Sequence, residues 1–122
     1  MNKGKILVID DDHDILEIID IIFRQEGYDV ILSDNGKAAE NVGQIHPDLV
    51  LLDIRIAGSG KNGVDICAQI KSSPETQNLP VLLFSAEDDI AELTRRCGAN
   101  GYIRKPFRAA HIIAKVNEIL AA

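Results

Sequence analysis

Tryptophan is missing from the 122 residues, and only three Phe and two Tyr are present, which leaves little to stack on a flavin. Cysteine is nearly as scarce. Cys67 and Cys97 stand in no CxxC or Cys/His spacing, so neither a disulfide framework nor a zinc site is indicated, and the two read as buried, reduced thiols. Long hydrophobic runs are lacking too. Stretches such as Lys5-Ile-Leu-Val-Ile9 fall far short of the ~20 residues that span a bilayer, and no apolar segment of signal-peptide type follows the start. The chain is therefore read as cytoplasmic, with no membrane partner. Basic residues are the minority, 13 against 19 acidic, giving a net charge of −6 and a pI near 4.9. That balance argues against direct, phosphate-driven binding of nucleic acid and fits a protein or cation partner.

What is present suits one folded domain. Hydrophobic residues make up 46% and charged residues 26%, a mix that excludes a disordered tail or a collagen-like repeat. The length leaves no room for a second domain, so residues 1–122 are read as a single unit without an effector. Short apolar runs recur at Lys5–Ile9, Tyr28–Leu32, Asp48–Leu52, Leu79–Phe84 and Gly101–Arg104, several without alternation, as in parallel strands covered on both faces. Helical spacing lies between them: Ile15, Ile18, Ile19, Ile22 and Phe23; Ala38, Val42 and Ile45; Ile66, Cys67 and Ile70; Ile90, Leu93 and Cys97; and a last stripe from Ile112 to Leu120. Five strand-helix units in strict alternation predict an open, parallel, doubly wound α/β sheet. Gly27 and Gly98 punctuate the ends of the first and fourth helices. The second helix has the thinnest signal, because Gly43 lies inside it and alanines form much of its stripe.

In such a sheet, ligands bind beyond the carboxyl ends of the strands. The residues there are concentrated in type: Asp10, Asp11 and Asp12 after the first run, Asp53 after the third, Ser85 after the fourth, Arg104 and Lys105 at the fifth. An isolated Asp after a strand is ordinarily a helix N-cap, and Asp12 or Asp14 suits that role. Asp53 does not, since Ile54-Arg55-Ile56 follows it rather than a helix start. With the first and third strands adjacent, Asp10, Asp11 and Asp53 converge, and like charges at ~5 Å repel by roughly 3 kcal/mol per pair at an effective dielectric near 20. A cation is needed among them. Oxygen ligands without His or Cys suit a hard ion, Mg²⁺ foremost. A carboxylate beside Mg²⁺, the Lys105 ammonium and the Ser85 hydroxyl could carry out in-line phosphoryl transfer to an aspartate oxygen. His13, His46 and His111 are scattered and read as surface or capping residues.

These motifs together resemble the receiver domain of two-component response regulators over the whole length: Ile6-Leu-Val-Ile-Asp-Asp-Asp12, Asp48-Leu-Val-Leu-Leu-Asp53, Phe84-Ser-Ala86 and Lys105-Pro-Phe107, in that order. The resemblance implies a flavodoxin-like (βα)5 domain with strand order 2-1-3-4-5. It implies that Asp53 is the phosphoacceptor, and that Asp11 holds Mg²⁺ directly while Asp10 acts through water. The main-chain carbonyl of Arg55 is a further implied ligand. Ser85 and Lys105 take the phosphoryl-binding positions, with a cis peptide at Lys105-Pro106, and Tyr102 takes the aromatic switch position. The implied readout surface is the fourth helix, fifth strand and fifth helix, where Arg95, Arg96, Arg104 and Arg108 favour acidic partners. A receiver is not an enzyme in the ordinary sense, although it assists its own phosphorylation and dephosphorylation. Its implied partners are a histidine kinase or histidine phosphotransfer protein upstream, and a downstream target protein or covalently linked effector; receivers can also form homodimers.

The chain departs from the family after the acceptor. Ala57 and Gly58 replace the usual Met-Pro pair, Gly63 comes two residues late, and the Gly58-Ser-Gly60 segment is expected to be more mobile than its family counterpart. Arg55 and Glu87 fill the two positions that in this family influence phosphoryl lifetime, and an ion pair between them across the site mouth is expected. Three other readings compete. A haloacid-dehalogenase-type phosphatase needs a second acid two residues past the nucleophile, where Arg55 stands. A flavodoxin-like FMN binder lacks the aromatics and the phosphate-cradling first loop. An adaptor whose Asp53 is never phosphorylated leaves the full residue set without a purpose.

Overall fold

Apolar residues that continue without alternation form strands buried on both faces, and three of the five strands here are of that kind. The computed structural model describes residues 3–56 and 62–121. Strands β1 (Lys5–Ile9), β3 (Leu49–Asp53) and β4 (Val81–Ser85) are almost wholly buried, while β2 (Asp29–Ser33) and β5 (Gly101–Arg104) form the partly exposed edges. All neighbours are parallel, in the order β2-β1-β3-β4-β5, as the resemblance implies.

Helices α1 (His13–Gln25) and α5 (Ala109–Ala121) cover one face, enclosing Ile6, Val8, Leu49, Leu51, Leu82 and Phe84. The opposite face carries Leu7, Ile9, Val50, Leu52, Val81 and Leu83 under α2 (Val42–Ile45), α3 (Gly63–Ser72) and α4 (Ile90–Cys97). Each fully buried aliphatic side chain of this kind contributes about 1.5–3 kcal/mol, so the two cores fix both sheet register and helix placement.

The helix ends follow their local chemistry. Asp12 caps α1, accepting from the amides of Asp14 at 3.0 Å and Ile15 at 3.4 Å. Asn62 and Asp65 form a reciprocal capping box at the start of α3. Gly98 ends α4 with φ 81°.

One expected element differs. The second helix is not continuous: a 3-10 segment over Gly36–Asn41 precedes α2, which has only four residues. The stripe of Ala38, Val42 and Ile45 does pack on the core. The 3-10 start follows from Asn35, whose side chain accepts from the Lys37 amide and tightens the first turn. Strands β2, β3 and β4 also end one residue later than the apolar runs suggest, which makes Ser33, Asp53 and Ser85 their last residues. The expectation about Ala57 and the Gly58-Ser-Gly60 segment lies outside the described residues.

Candidate functional site

Strand register brings the polar residues together. Ile9 pairs with Leu52, so Asp10 follows beside Asp53; Asp53 pairs with Phe84, and Ser85 pairs with Arg104, immediately before Lys105. The period of two then sorts them by face. Asp10 continues the row of Ile6 and Val8, and Asp53 that of Leu49 and Leu51, all on the α1/α5 side. Ser85 continues the opposite row of Val81 and Leu83.

Asp10, Asp11, Asp12, Asp53, Arg55, Ser85, Glu87 and Lys105 line an open pocket of about 540 Å³ at the carboxyl ends of the strands. Asp10 is fully buried and Asp53 is 6% exposed, whereas Asp11 faces solvent. Lys105 Nζ donates to Asp10 Oδ2 at 2.9 Å and lies 3.7 Å from Asp53 Oδ1. The ring of Phe84, 4.6 Å from that nitrogen, supports the ammonium from below. The Asp12 amide donates to Asp10 Oδ1 at 2.9 Å, holding that carboxylate toward the pocket. Burial first, and then the Asp10 carboxylate, push Asp53 up to about 7; Lys105 opposes the shift and does not cancel it.

One cation is therefore insufficient for these acids. Asp10, Asp11 and Asp53 each offer a carboxylate oxygen, and those atoms lie within 4.8 Å of one another. An all-oxygen donor set with excess negative charge fits a hard divalent ion such as Mg²⁺.

Ser85 Oγ accepts from the Glu87 amide at 3.1 Å, and its carbonyl accepts from the Lys105 amide at 2.9 Å. The Lys105-Pro106 peptide is cis, as expected. The expected Arg55–Glu87 ion pair is present across the pocket mouth, between Arg55 Nε and Glu87 Oε1. Tyr102 lies on the exposed edge at 36% exposure, with the Arg104 guanidinium 5.9 Å from its ring. His13, His46 and His111 are all exposed; His13 pairs with Asp34 at 3.1 Å, outside the pocket lining.

Sequence reasoning missed two contributors. Arg104 reaches past the readout face to the carbonyls of Glu87 at 3.2 Å and Asp88 at 3.5 Å, tying β5 to the loop after Ser85. Gly63 brings α3 against the end of β3: its amide donates to Ile54 O at 2.7 Å, and a Cβ there would stand 2.1 Å from Asp53 O. The late glycine was visible in the sequence, but this close backbone approach was not.

The model of the response regulator receiver domain matches residues 6–117. The chain belongs to that family. Among curated relatives, the DNA-binding response regulator MtrA of Mycolicibacterium smegmatis is 34% identical over 117 residues, covering 93% of this chain and 49% of MtrA. The chain thus spans about half the length of the curated relatives it matches. Among solved structures, a response-regulator candidate from Chloroflexus aurantiacus J-10-fl superposes with TM-score 0.89 at 30% identity, covering 98% of each chain. The BeF3-activated receiver domain of Klebsiella pneumoniae RstA gives TM-score 0.86 at 28% identity, covering 97% of this chain and 99% of that one. Receiver domains belong to two-component signalling, which fixes the broad role of this one.

Proposed function

We propose that this receiver is a Mg²⁺-dependent phosphoryl switch whose acceptor is Asp53. The observation that carries the reading is the convergence of Lys105 with Asp10, Asp11 and Asp53 in one open pocket. Asp10, Asp11, Asp53 and the main-chain carbonyl of Arg55 would hold Mg²⁺, which when bound supplies positive charge to the phosphoryl oxygens. A carboxylate oxygen of Asp53 attacks phosphorus; the bond from phosphorus to the donor's imidazole nitrogen breaks, and the electron pair leaves with the imidazole. Lys105 neutralises a phosphoryl oxygen, while its contact with Asp10 keeps that ammonium in place. Ser85 turns its hydroxyl to another oxygen and in doing so gives up the bond from the Glu87 amide. Ser85 movement frees space behind it for Tyr102, so the change reaches the surface of α4, β5 and α5.

The donor is a histidine kinase or histidine phosphotransfer protein, and it must seat its imidazole over the pocket mouth. Beside that mouth Ile15, Ile18, Ala86, Pro106 and Phe107 line an apolar hollow, and Ile18 and Ile21 on α1 are 47% and 52% exposed. This surface gives the donor an apolar foothold next to the acidic pocket.

Output passes to a downstream protein or linked effector through the basic face of Arg95, Arg96, Arg104 and Arg108. With a net charge of −6, the chain itself is read as regulatory rather than DNA-contacting, although its MtrA relatives are DNA-binding. Among the described residues no helix is long and apolar enough to cross a membrane, in keeping with a cytoplasmic role. Incubation with Mg²⁺ and a phosphorylated histidine phosphotransfer protein should yield one acid-stable, base-labile phosphoryl group on the native chain and none on Asp53→Asn. Equal labelling of both chains would refute the assignment.

A further inference from the structure

Ser85 moves only as far as the loop behind it yields, and residues 86–89, between β4 and α4, make few bonds of their own. Ala86, Asp88 and Asp89 are exposed, and the Asp89 side chain gives α4 no cap. The turn bond from the Ile90 amide to the Glu87 carbonyl is long, at 3.3 Å. Such a segment shifts readily unless a neighbour pins it. The restraints converge on Glu87. Its amide donates to Ser85 Oγ at 3.1 Å, its carboxylate accepts from Arg55, and its carbonyl accepts from Arg104 Nη1 at 3.2 Å. The same nitrogen lies 3.5 Å from the Asp88 carbonyl.

Strand β5 delivers Arg104 to that place. Ser85 pairs with Arg104, and Leu83 pairs with Tyr102. Ile103 belongs to the α1/α5 core, so the period of two sets Tyr102 and Arg104 on the opposite face, the face of Ser85. There the guanidinium is 5.9 Å from the Tyr102 ring while its Nη1 reaches the loop. An arginine does both at once because its planar group meets the ring and its N–H edge still donates. One side chain therefore touches both parts that the proposed switch has to move. Arg104 is not among the residues lining the phosphoryl pocket.

We propose that Arg104 is a positioning residue that latches the unmodified receiver, holding the loop after Ser85 by the Glu87 carbonyl and holding Tyr102 outward by its ring; the proposal rests on the phosphoryl-switch reading of Asp53. When Ser85 turns toward a phosphoryl oxygen, the Glu87 amide loses its acceptor and the loop has to swing. The Arg104 bond opposes that swing. Inward movement of Tyr102 takes the ring away from the guanidinium, so the same residue opposes it too. Arg104 thereby lowers the population of the switched arrangement in the unmodified chain. By linkage it also lowers the affinity of the pocket for a phosphoryl-like group. The sign separates this role from plain electrostatics. Removing a cation near an anion-binding pocket weakens anion binding, whereas removing a latch strengthens it.

Arg104 is exposed, so its replacement leaves both cores intact. The test titrates the full chain with beryllium fluoride in the presence of Mg²⁺, a stable mimic of an aspartyl phosphate, and follows binding by calorimetry. Arg104→Ala should bind about fivefold more tightly than the native chain, the lower end of ordinary coupling between sites. Equal or weaker binding would overturn the proposal. Arg104→Lys keeps the charge and a donor of similar reach, and it should return the affinity toward the native value; no return at all would contradict the donor role. A second readout needs neither metal nor fluoride. In the unmodified chain the Glu87 and Ile90 amides should exchange several-fold faster in Arg104→Ala, with the sheet amides at native rates. Unchanged exchange at both positions would remove the latch. If neither the native chain nor the variants bound beryllium fluoride while Mg²⁺ binding was intact, the switch reading would fail, and the exchange rates would still decide whether Arg104 pins the loop.

Discussion

Asp53 is held protonated over a wide pH range by its own surroundings, and that has a measurable cost. Its folded value, about 7, lies above the unfolded 3.8. Between these values the unfolded chain has released the proton and the folded chain has not, so metal-free stability falls as pH rises from about 4 to 7 and then levels. The drop is on the order of a few kcal/mol, since each unit is 1.36 kcal/mol. Urea midpoints measured without divalent ions should follow that course, flatten in Asp53→Asn, and leave the Asn variant the more stable chain at pH 8. Gly63 makes a second prediction at this scale. The added Cβ of Gly63→Ala meets backbone at 2.1 Å, so β3 or α3 must shift. A loss of about 2 kcal/mol or more in urea unfolding is expected, together with impaired phosphorylation. Arg55 and Glu87 act differently. Arg55 is 82% exposed in its side chain, so the pair adds almost nothing to stability. In the proposed switch its place over the mouth would shield the phosphoryl group, so each single alanine variant should lose that group faster in a dephosphorylation time course; unchanged rates in both would exclude the shielding role.

Among the elements, α1 serves two purposes, with Leu16, Ile19 and Phe23 in the core and Ile18 and Ile21 outside. Ile18→Glu should leave the unfolding midpoint close to native and slow transfer from a phosphohistidine donor about tenfold, as expected for loss of an apolar anchor at an interface. Labelling by a small-molecule donor should not change, which separates docking from chemistry. The same helix illustrates what was legible in the sequence. A wide apolar stripe between Asp12 and Gly27 leaves little choice of structure, and the continuous runs of β1, β3 and β4 leave equally little. The segment over residues 36–45 was harder to read. Alanines and Gly43 supply weak helical preference, and the local Asn35 bond to the Lys37 amide decides the outcome. Strand ends were misplaced by one residue because polar Asp53 and Ser85 look like loop, whereas sheet pairing carries both to the end of the ladder. The acidic residues, Lys105 and Ser85 were legible as site residues because strand ends converge in a parallel sheet. Arg104 as a tie to the Glu87 loop was not, since that depends on side-chain reach.

For the molecule as a whole, charge is divided as the proposed roles require. Residues 1–53 hold twelve acids and four bases, and residues 91–122 hold two acids and six bases. The first group supplies Asp10, Asp11, Asp12 and Asp53 to the pocket, and the second supplies Lys105 to it and the arginines of the proposed readout face. Two separate cores, one on each face of the continuous sheet, hold α1 and α5 on one side and α2, α3 and α4 on the other. The central claim is that this sheet presents Asp53 for modification. Intact-mass measurement after incubation with a small-molecule phosphoryl donor, with and without Mg²⁺, tests it most directly. One Mg²⁺-dependent phosphoryl adduct on the native chain and none on Asp53→Asn is the predicted result; no adduct on the native chain, with Mg²⁺ binding confirmed by calorimetry and a control receiver responding, would contradict it.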